Sequence, residues 1–137
     1  MIAHTLAHTE WDPAELAAAV TAAGGPDEVG EAVLRAAGSD VAGLELDEPE
    51  SMGYTIRTMT AGLWAHRNAD DLEATLLEVI NAGGDTDTNG AVAGAVLGAR
   101  FGPSAIPQRW IERLPNPWEL QSLADRLWEA SQPRVAL

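Results

Sequence analysis

The segment from Gly83 to Gly90 places two carboxylates and two hydroxyl groups between two apolar stretches of the chain. Asp85 and Asp87 are two residues apart, so in a turn both side chains can reach one hard cation, and the Thr88 hydroxyl can add a third oxygen. Oxygen ligands of this kind suit Mg²⁺, Mn²⁺ or Ca²⁺. The spacing therefore predicts part of a metal site.

Two other uses of these residues have to be weighed. Asp87 or Thr88 can instead cap a helix expected over 91–99, since both residue types are favoured at helix starts, and the spacing alone leaves capping and metal binding equally open. The aspartate spacing also matches the first half of an EF-hand loop. Val96 stands where that loop requires a bidentate acidic ligand, so an EF-hand is excluded.

Helix signals surround this segment. Gly83 and Gly84 can take the positive φ angles that end a helix, after an apolar stretch over 72–80. A capping residue stands three positions before a glutamate in three places, which predicts three helix starts: Asp12 to Glu15, Asp70 to Glu73 and Asn116 to Glu119. No strand pattern emerges, so the sequence predicts an all-α fold.

Apolar spacing and Gly or Pro breaks place the individual helices. The first two should run from Asp12 to the Gly24–Pro26 break and from Pro26 to Gly38, and form a helical hairpin. The remaining expected segments are about 54–66, 72–80, 91–99, a short one at 106–111 and a last one around 118–128.

Two connecting features have distinctive compositions. Residues 39–51 are acidic and contain Pro49, which favours an exposed loop or short turns. Gly90, Gly94 and Gly98 recur every four residues, so one face of the helix after the aspartates should pack closely against its neighbours.

The chain has 137 residues, a formal charge of −13 and no cysteine. Its 21 acidic residues outnumber eight basic ones, all arginines, so long-range electrostatics disfavour nucleic acid and anionic membranes as partners. Its length suits one domain, and it shows neither a basic leader nor an apolar run long enough to span a bilayer. We therefore expect a soluble, cytoplasmic protein.

Histidines offer weaker signals. His4 and His8 are four residues apart, which suits Zn²⁺ on one helix face, but no third ligand accompanies them. His66 stands near an expected helix end, where interaction with the helix dipole is a more ordinary role than general base.

Gly83 to Thr88, followed by a helix of small residues, resembles the C-terminal signature of the ADP-ribosylglycohydrolase family. Other segments resemble that family's pattern in the same order: Gly53-Tyr54 with Gly62 to Ala65, Gly98 to Gly102, and Ala105 to Trp110. The resemblance implies a compact all-α multi-helix bundle like the C-terminal part of that fold, with residues 1–137 as one partial domain.

The resemblance also implies metal-dependent hydrolysis of the glycosidic bond between ADP-ribose and a protein side chain or small adduct. Asp85 and Asp87 would be catalytic metal ligands for two Mg²⁺ or Mn²⁺ ions, and Thr88 would add a hydroxyl ligand. The residues implied to lie against the substrate are Gly53, Tyr54, Gly83 and Gly84.

The family's N-terminal metal motifs, an early Gly-Asp and a Thr-Asp-Asp, have no match in this sequence. Three hypotheses follow. The chain is a truncated or split enzyme completed by a partner chain or second copy, an enzyme with replacement ligands from Glu45 to Glu50, or a non-catalytic module that binds ADP-ribose or a protein partner. A structural helical protein, with the aspartates as caps, is a further alternative.

Overall fold

The computed structural model describes residues 11–131, and within that range it contains seven α-helices, two short 3₁₀ helices and no strand. The all-α prediction is confirmed. The α-helices are α1 (Pro13–Ala22), α2 (Asp27–Arg35), α3 (Thr55–Asn68), α4 (Leu72–Asn81), α5 (Thr86–Phe101), α6 (Gln108–Ile111) and α7 (Pro117–Ser131). The 3₁₀ helices are Val41–Leu44 and Pro103–Ala105. The chain divides into two compact units, one up to Ala105 and one from Ile106.

Helices α1 and α2 pack against each other as the predicted hairpin. The Asp12 carboxylate accepts a 2.8 Å hydrogen bond from the Glu15 amide, which satisfies one of the donors left open in the first turn of α1. Helix α2 ends at Arg35 instead of Gly38, because the Gly38 amide bonds the Arg35 carbonyl at 3.2 Å, three positions back, and tightens the chain into a turn.

Residues 36–54 connect α2 to α3 through the first 3₁₀ helix and a series of turns. We call residues 45–50 the acidic loop. Its charged side chains are exposed, as predicted. Leu44 and Leu46 are nevertheless 0% and 3% exposed. These two leucines anchor the loop to the core of the first unit.

Helix α3 lies at the centre of the first unit and packs against α2, α4 and α5. Trp64 is 2% exposed, and Ala61 and Ala65 are fully buried. Gly62 allows α5 to approach closely, since a β-carbon at this position would lie 3.1 Å from the Val92 side chain. Gly62 therefore brings the middle of α5 close to α3.

Helix α4 starts at Leu72, directly after Asp71. The Asp71 carboxylate accepts a 2.8 Å hydrogen bond from the Ala74 amide. The prediction that Asp70 caps this helix is therefore wrong by one residue, because the N-cap is the position next to the first helical residue.

Helices α4 and α5 approach each other across two glycines. A β-carbon on Gly90 would lie 3.2 Å from Ile80, and one on Gly94 would lie 3.6 Å from Leu76. The predicted close packing is confirmed at these positions. It is wrong at Gly98, where an added β-carbon would meet no atom of the described residues within 4 Å.

The second unit contains α6 and α7 within the described residues 106–131. Helix α7 starts directly after Asn116, as the sequence predicts. Several of its apolar side chains are exposed, with Trp118 at 73% and Leu127 at 71%. Across residues 11–131, every helix falls short of the length and apolar character that crossing a membrane requires.

Candidate functional site

A turn with two consecutive glycines links α4 to α5. Gly83 and Gly84, which define this double-glycine turn, have φ angles of 84° and 69°, in the left-handed region that residues with a β-carbon rarely adopt. The Gly83 amide donates to the Ile80 carbonyl at 3.3 Å and closes the last turn of α4. Helix α5 then begins at Thr86.

The acidic loop packs against this turn. A β-carbon on Gly84 would lie 1.9 Å from the Leu46 carbonyl oxygen, and one on Gly83 would lie 3.1 Å from the Asp47 β-carbon. These distances leave no room for a side chain at Gly84. The loop and the turn are therefore in direct contact, which is the proximity that ligand donation from the loop would require.

The aspartates lie at the start of α5 without capping it. Asp85 occupies the N-cap position, but its side chain makes no hydrogen bond to the amides of residues 86–88, all within the described range. Asp87 lies in the first turn, and its Oδ1 accepts a 3.0 Å hydrogen bond from the adjacent Thr88 amide. The capping role weighed for Asp87 or Thr88 is wrong, because the helix already starts at Thr86.

The two carboxyl groups influence each other. A hydrogen bond from the Asp85 carboxyl lowers the pKa of Asp87 below its ordinary value, and the amides of Thr88 and of Asp87 itself act in the same direction. Asp87 therefore favours its charged form, which is the form that binds a cation.

Gly53 and Tyr54 immediately precede α3. Gly53 has a φ angle of 79°, and a β-carbon there would lie 3.5 Å from Asp85 Oδ2. The Tyr54 hydroxyl donates a 3.0 Å hydrogen bond to Glu28, and this bond raises the pKa of Tyr54, with smaller contributions from burial and from the Glu28 charge. The structure thus brings Gly53 to Asp85 and ties Tyr54 to α2.

An open cavity of about 200 Å³ lies between α2 and the start of α3. Its lining combines both charge signs with apolar groups: Glu28, Glu31, Ala32, Arg35, Ser51, Tyr54, Ile56, Arg57 and Thr60. The bond between Tyr54 and Glu28 therefore joins two residues of its wall.

Three neighbouring side chains could contribute oxygen atoms to a metal site. Asp85, Asp87 and Thr88 supply oxygen-bearing side chains of the kind that Mg²⁺ binds. No group of three or more Asp, Glu or His side chains within residues 11–131 is placed to hold an ion. Glu45, from the acidic loop, is instead paired with Arg35 and Arg57 at 2.8 and 3.7 Å.

A buried polar pair beneath the site escaped sequence analysis. Thr58 Oγ1 donates a 2.9 Å hydrogen bond to Asn89 Oδ1, and both residues are at most 5% exposed. The backbone amide of Asn89 also donates to the Asp85 carbonyl at 2.9 Å. The bond between Thr58 and Asn89 therefore ties the first turn of α5 to α3. Thr58 shares a helical face with Ala61 and Ala65, a spacing that indicates burial.

His66 lies in the last turn of α3 and is 1% exposed. Its Nδ1 has no hydrogen-bond partner within residues 11–131. Burial lowers the pKa of His66, and the nearby Arg100 charge lowers it further. His66 therefore lies at the helix end as expected, and its interaction with the helix dipole stays a prediction. His4 and His8 lie outside the described residues.

Several known proteins are similar to this chain. Tri1, an ADP-ribosylarginine hydrolase of Serratia proteamaculans, is 37% identical over 82 residues, which cover 60% of this chain and 22% of the relative. The ADP-ribosyl-(dinitrogen reductase) glycohydrolase of Rhodospirillum rubrum is 37% identical over 65 residues, or 47% of this chain and 22% of the relative. The ADP-ribosylhydrolase ARH3 of Homo sapiens is 30% identical over 102 residues, or 74% of this chain and 27% of the relative.

No solved structure matches the chain. The chain spans about a quarter of the length of the curated relatives it matches, between 22% and 29%. A family model described as ADP-ribosylglycohydrolase matches residues 1–136, nearly the whole chain. On that match, and on the double-glycine turn with its two aspartates, this chain belongs to the ADP-ribosylglycohydrolase family.

Proposed function

We propose that this chain contributes to metal-dependent hydrolysis of the glycosidic bond between ADP-ribose and a protein side chain or small adduct. Family membership supports this, as does the name of one relative, an ADP-ribosylarginine hydrolase. Because the chain spans about a quarter of its relatives' length, the proposal assigns it a share of the active site. A partner chain or a second copy supplies the rest.

One observation carries the proposal: Asp85 and Asp87 both lie at the start of α5, and the Asp85 side chain at the N-cap position makes no capping hydrogen bond. Within residues 11–131 neither aspartate forms an ion pair with an arginine or histidine. The dipole of α5 favours both carboxylates at this helix start, but no described cationic side chain neutralises their charges. A bound divalent cation explains both charges.

Asp85, Asp87 and Thr88 would hold the cation through carboxylate and hydroxyl oxygens. When bound, the cation supplies Lewis-acid polarisation and orients water and ribose hydroxyls. The two aspartates fix the cation at the start of α5, and the bond between Thr58 and Asn89 holds that first turn in place.

The glycines would let substrate reach the cation. Gly53 has space beside Asp85 Oδ2, whereas the acidic loop covers Gly83 and Gly84 and would have to move for substrate to reach their backbone. A side chain at any of these positions would occupy space beside the carboxylates. Tyr54 is 46% exposed, so part of its ring is open for contact with ADP-ribose.

Completion of the site requires further ligands. Mg²⁺ prefers octahedral coordination, and two ions need more carboxylate charge than two aspartates provide. A partner chain or second copy is one source, and Asp47 of the acidic loop, in contact with Gly83, is another. If neither completes the shell, the chain is a non-catalytic module that binds ADP-ribose or a protein, a role favoured by the absence of a three-ligand group within residues 11–131.

The test is release of ADP-ribose from ADP-ribosyl-arginine in Mg²⁺ or Mn²⁺ by the purified chain, over a range of chain concentrations. If a second copy or the acidic loop completes the site, we expect release that Asp87→Ala abolishes and that Glu15→Gln, which removes an exposed charge on α1, preserves. A specific rate that rises with concentration would indicate completion by a second copy. Equal absence of release from all three chains, with ADP-ribose binding retained in calorimetry, would overturn catalysis by the isolated chain and favour the binding role.

A further inference from the structure

One guanidinium group bridges both ends of the acidic loop. Arg57, in the first turn of α3, donates from Nη1 to the Leu44 carbonyl at 2.8 Å and from Nε to Ser51 Oγ at 3.1 Å. Its Nη2 lies 3.7 Å from the Glu45 carboxylate. The Arg57 side chain is 20% exposed, so these contacts are shielded from water more than those of a surface arginine.

A second arginine reinforces the same end of the loop. Arg35 lies 2.8 Å from the Glu45 carboxylate and reaches the Gly43 carbonyl at 3.5 Å. Glu45 has a φ angle of 52°, in the left-handed region, which persists for a residue with a side chain only when surrounding contacts enforce it. The two arginines are among those contacts, together with the burial of Leu44 and Leu46 on either side.

Between the two bridged ends, the loop presses on the double-glycine turn. The Leu46 carbonyl and Asp47 lie against Gly84 and Gly83 so closely that a β-carbon at Gly84 would overlap the Leu46 oxygen. A shift of the loop toward the turn is therefore blocked, and a shift away would remove the contact with Gly83 and Gly84, which directly precede Asp85.

We infer that Arg57 is a positioning residue for the aspartate pair, acting through the acidic loop. Its planar fork donates to several acceptors in fixed directions, which a lysine ammonium cannot reproduce from the same place. The effect on metal or substrate binding rests on the proposed function. The effect of Arg57 on the positions of Gly83 and Gly84 does not depend on the proposed function, and it can be measured separately.

The experiment compares amide resonances of Gly83 and Gly84 in ¹H–¹⁵N spectra of the ligand-free chain. We expect both resonances to shift in Arg57→Lys and, by less, in Ser51→Ala, which removes one acceptor of the guanidinium. Arg67→Lys is the matched control, because Arg67 lies on the same helix but donates to the Trp11 carbonyl. It should leave both glycine resonances in place.

Unchanged Gly83 and Gly84 resonances in a folded Arg57→Lys chain would overturn the inference. Should that variant unfold, Ser51→Ala decides the question by the same comparison. Mn²⁺ affinity of each variant is measured in parallel. Glycine shifts without Mn²⁺ binding by the unaltered chain would uphold the positioning role and overturn metal binding by the isolated chain. Mn²⁺ binding without glycine shifts would support the metal site and overturn the positioning role.

Discussion

The carbonyl oxygen of Leu46 lies only 1.9 Å from the position that a β-carbon on Gly84 would take. Gly84 also has a φ angle of 69°, so two independent constraints require glycine here. The residues are far apart in sequence, and their contact joins the acidic loop to the turn that carries the aspartates. The geometry of the candidate site depends on this contact.

Gly84→Ala should destabilise the fold more than Gly24→Ala. Gly24 has a similar φ angle of 73°, but a β-carbon there would meet no described atom within 4 Å. Gly24→Ala should therefore lower the free energy of unfolding only by the cost of a left-handed backbone for alanine, about 1 kcal/mol. Gly84→Ala adds a steric overlap to that cost. Urea denaturation measures the free energy of unfolding of both variants. Equal losses would show that the acidic loop moves away from the new side chain at no energetic cost.

Thr58→Val should lower the free energy of unfolding by about 1–3 kcal/mol, because it leaves the buried Asn89 side-chain oxygen without its hydrogen-bond donor. Adding Asn89→Leu to Thr58→Val should recover part of that loss, since the unsatisfied group is then removed. Denaturation of the two single variants and the double variant gives the coupling energy. Strictly additive losses would contradict the bond between α3 and α5.

Asp71→Ala should lower the free energy of unfolding by about 1 kcal/mol through loss of the cap of α4. Asp70→Ala removes an equal charge next to it and should have little effect. Thermal denaturation distinguishes the two variants, and a larger loss from Asp70→Ala would contradict the helix start at Leu72.

Stability should fall as pH drops below about 6.5, the ordinary pKa of histidine. The pKa of His66 is lowered in the folded chain by burial and by Arg100, so the unfolded chain takes up a proton that the folded chain resists. The loss continues until the pH reaches the folded-state pKa, at no more than about 1.4 kcal/mol per pH unit.

Denaturation at pH 7.5 and 5.5 tests this, with His66→Gln as the control. The difference between the two pH values should be smaller in the variant. The same difference in both chains would assign the pH dependence to other groups.

Local signals account for what the sequence predicted correctly. The caps, glycines and apolar spacing act within a few residues, so the all-α class, the hairpin of α1 and α2, and the turn before α5 follow from them. The spacing of Asp85 and Asp87 indicated convergence, but the choice between capping and ligand binding depended on where α5 starts. Helix α5, which packs against α3 and α4, starts five residues earlier than expected.

Long-range contacts account for the features that could not be predicted from the sequence. Nothing near Arg57 in the sequence indicates that it bridges Leu44 and Ser51, because the acceptors become neighbours only after folding. Burial of His66 is likewise decided by packing around the end of α3.

Mn²⁺ binding tests the central claim most directly, because Mn²⁺ replaces Mg²⁺ at oxygen ligands and is detected by electron paramagnetic resonance. We expect Asp87→Asn to weaken Mn²⁺ binding by about tenfold or more, a loss that even outer-sphere partners of metal ligands can cause. Glu15→Gln should leave binding unchanged. Equal Mn²⁺ affinity in the unaltered chain and Asp87→Asn would contradict the assignment of the aspartate pair as metal ligands.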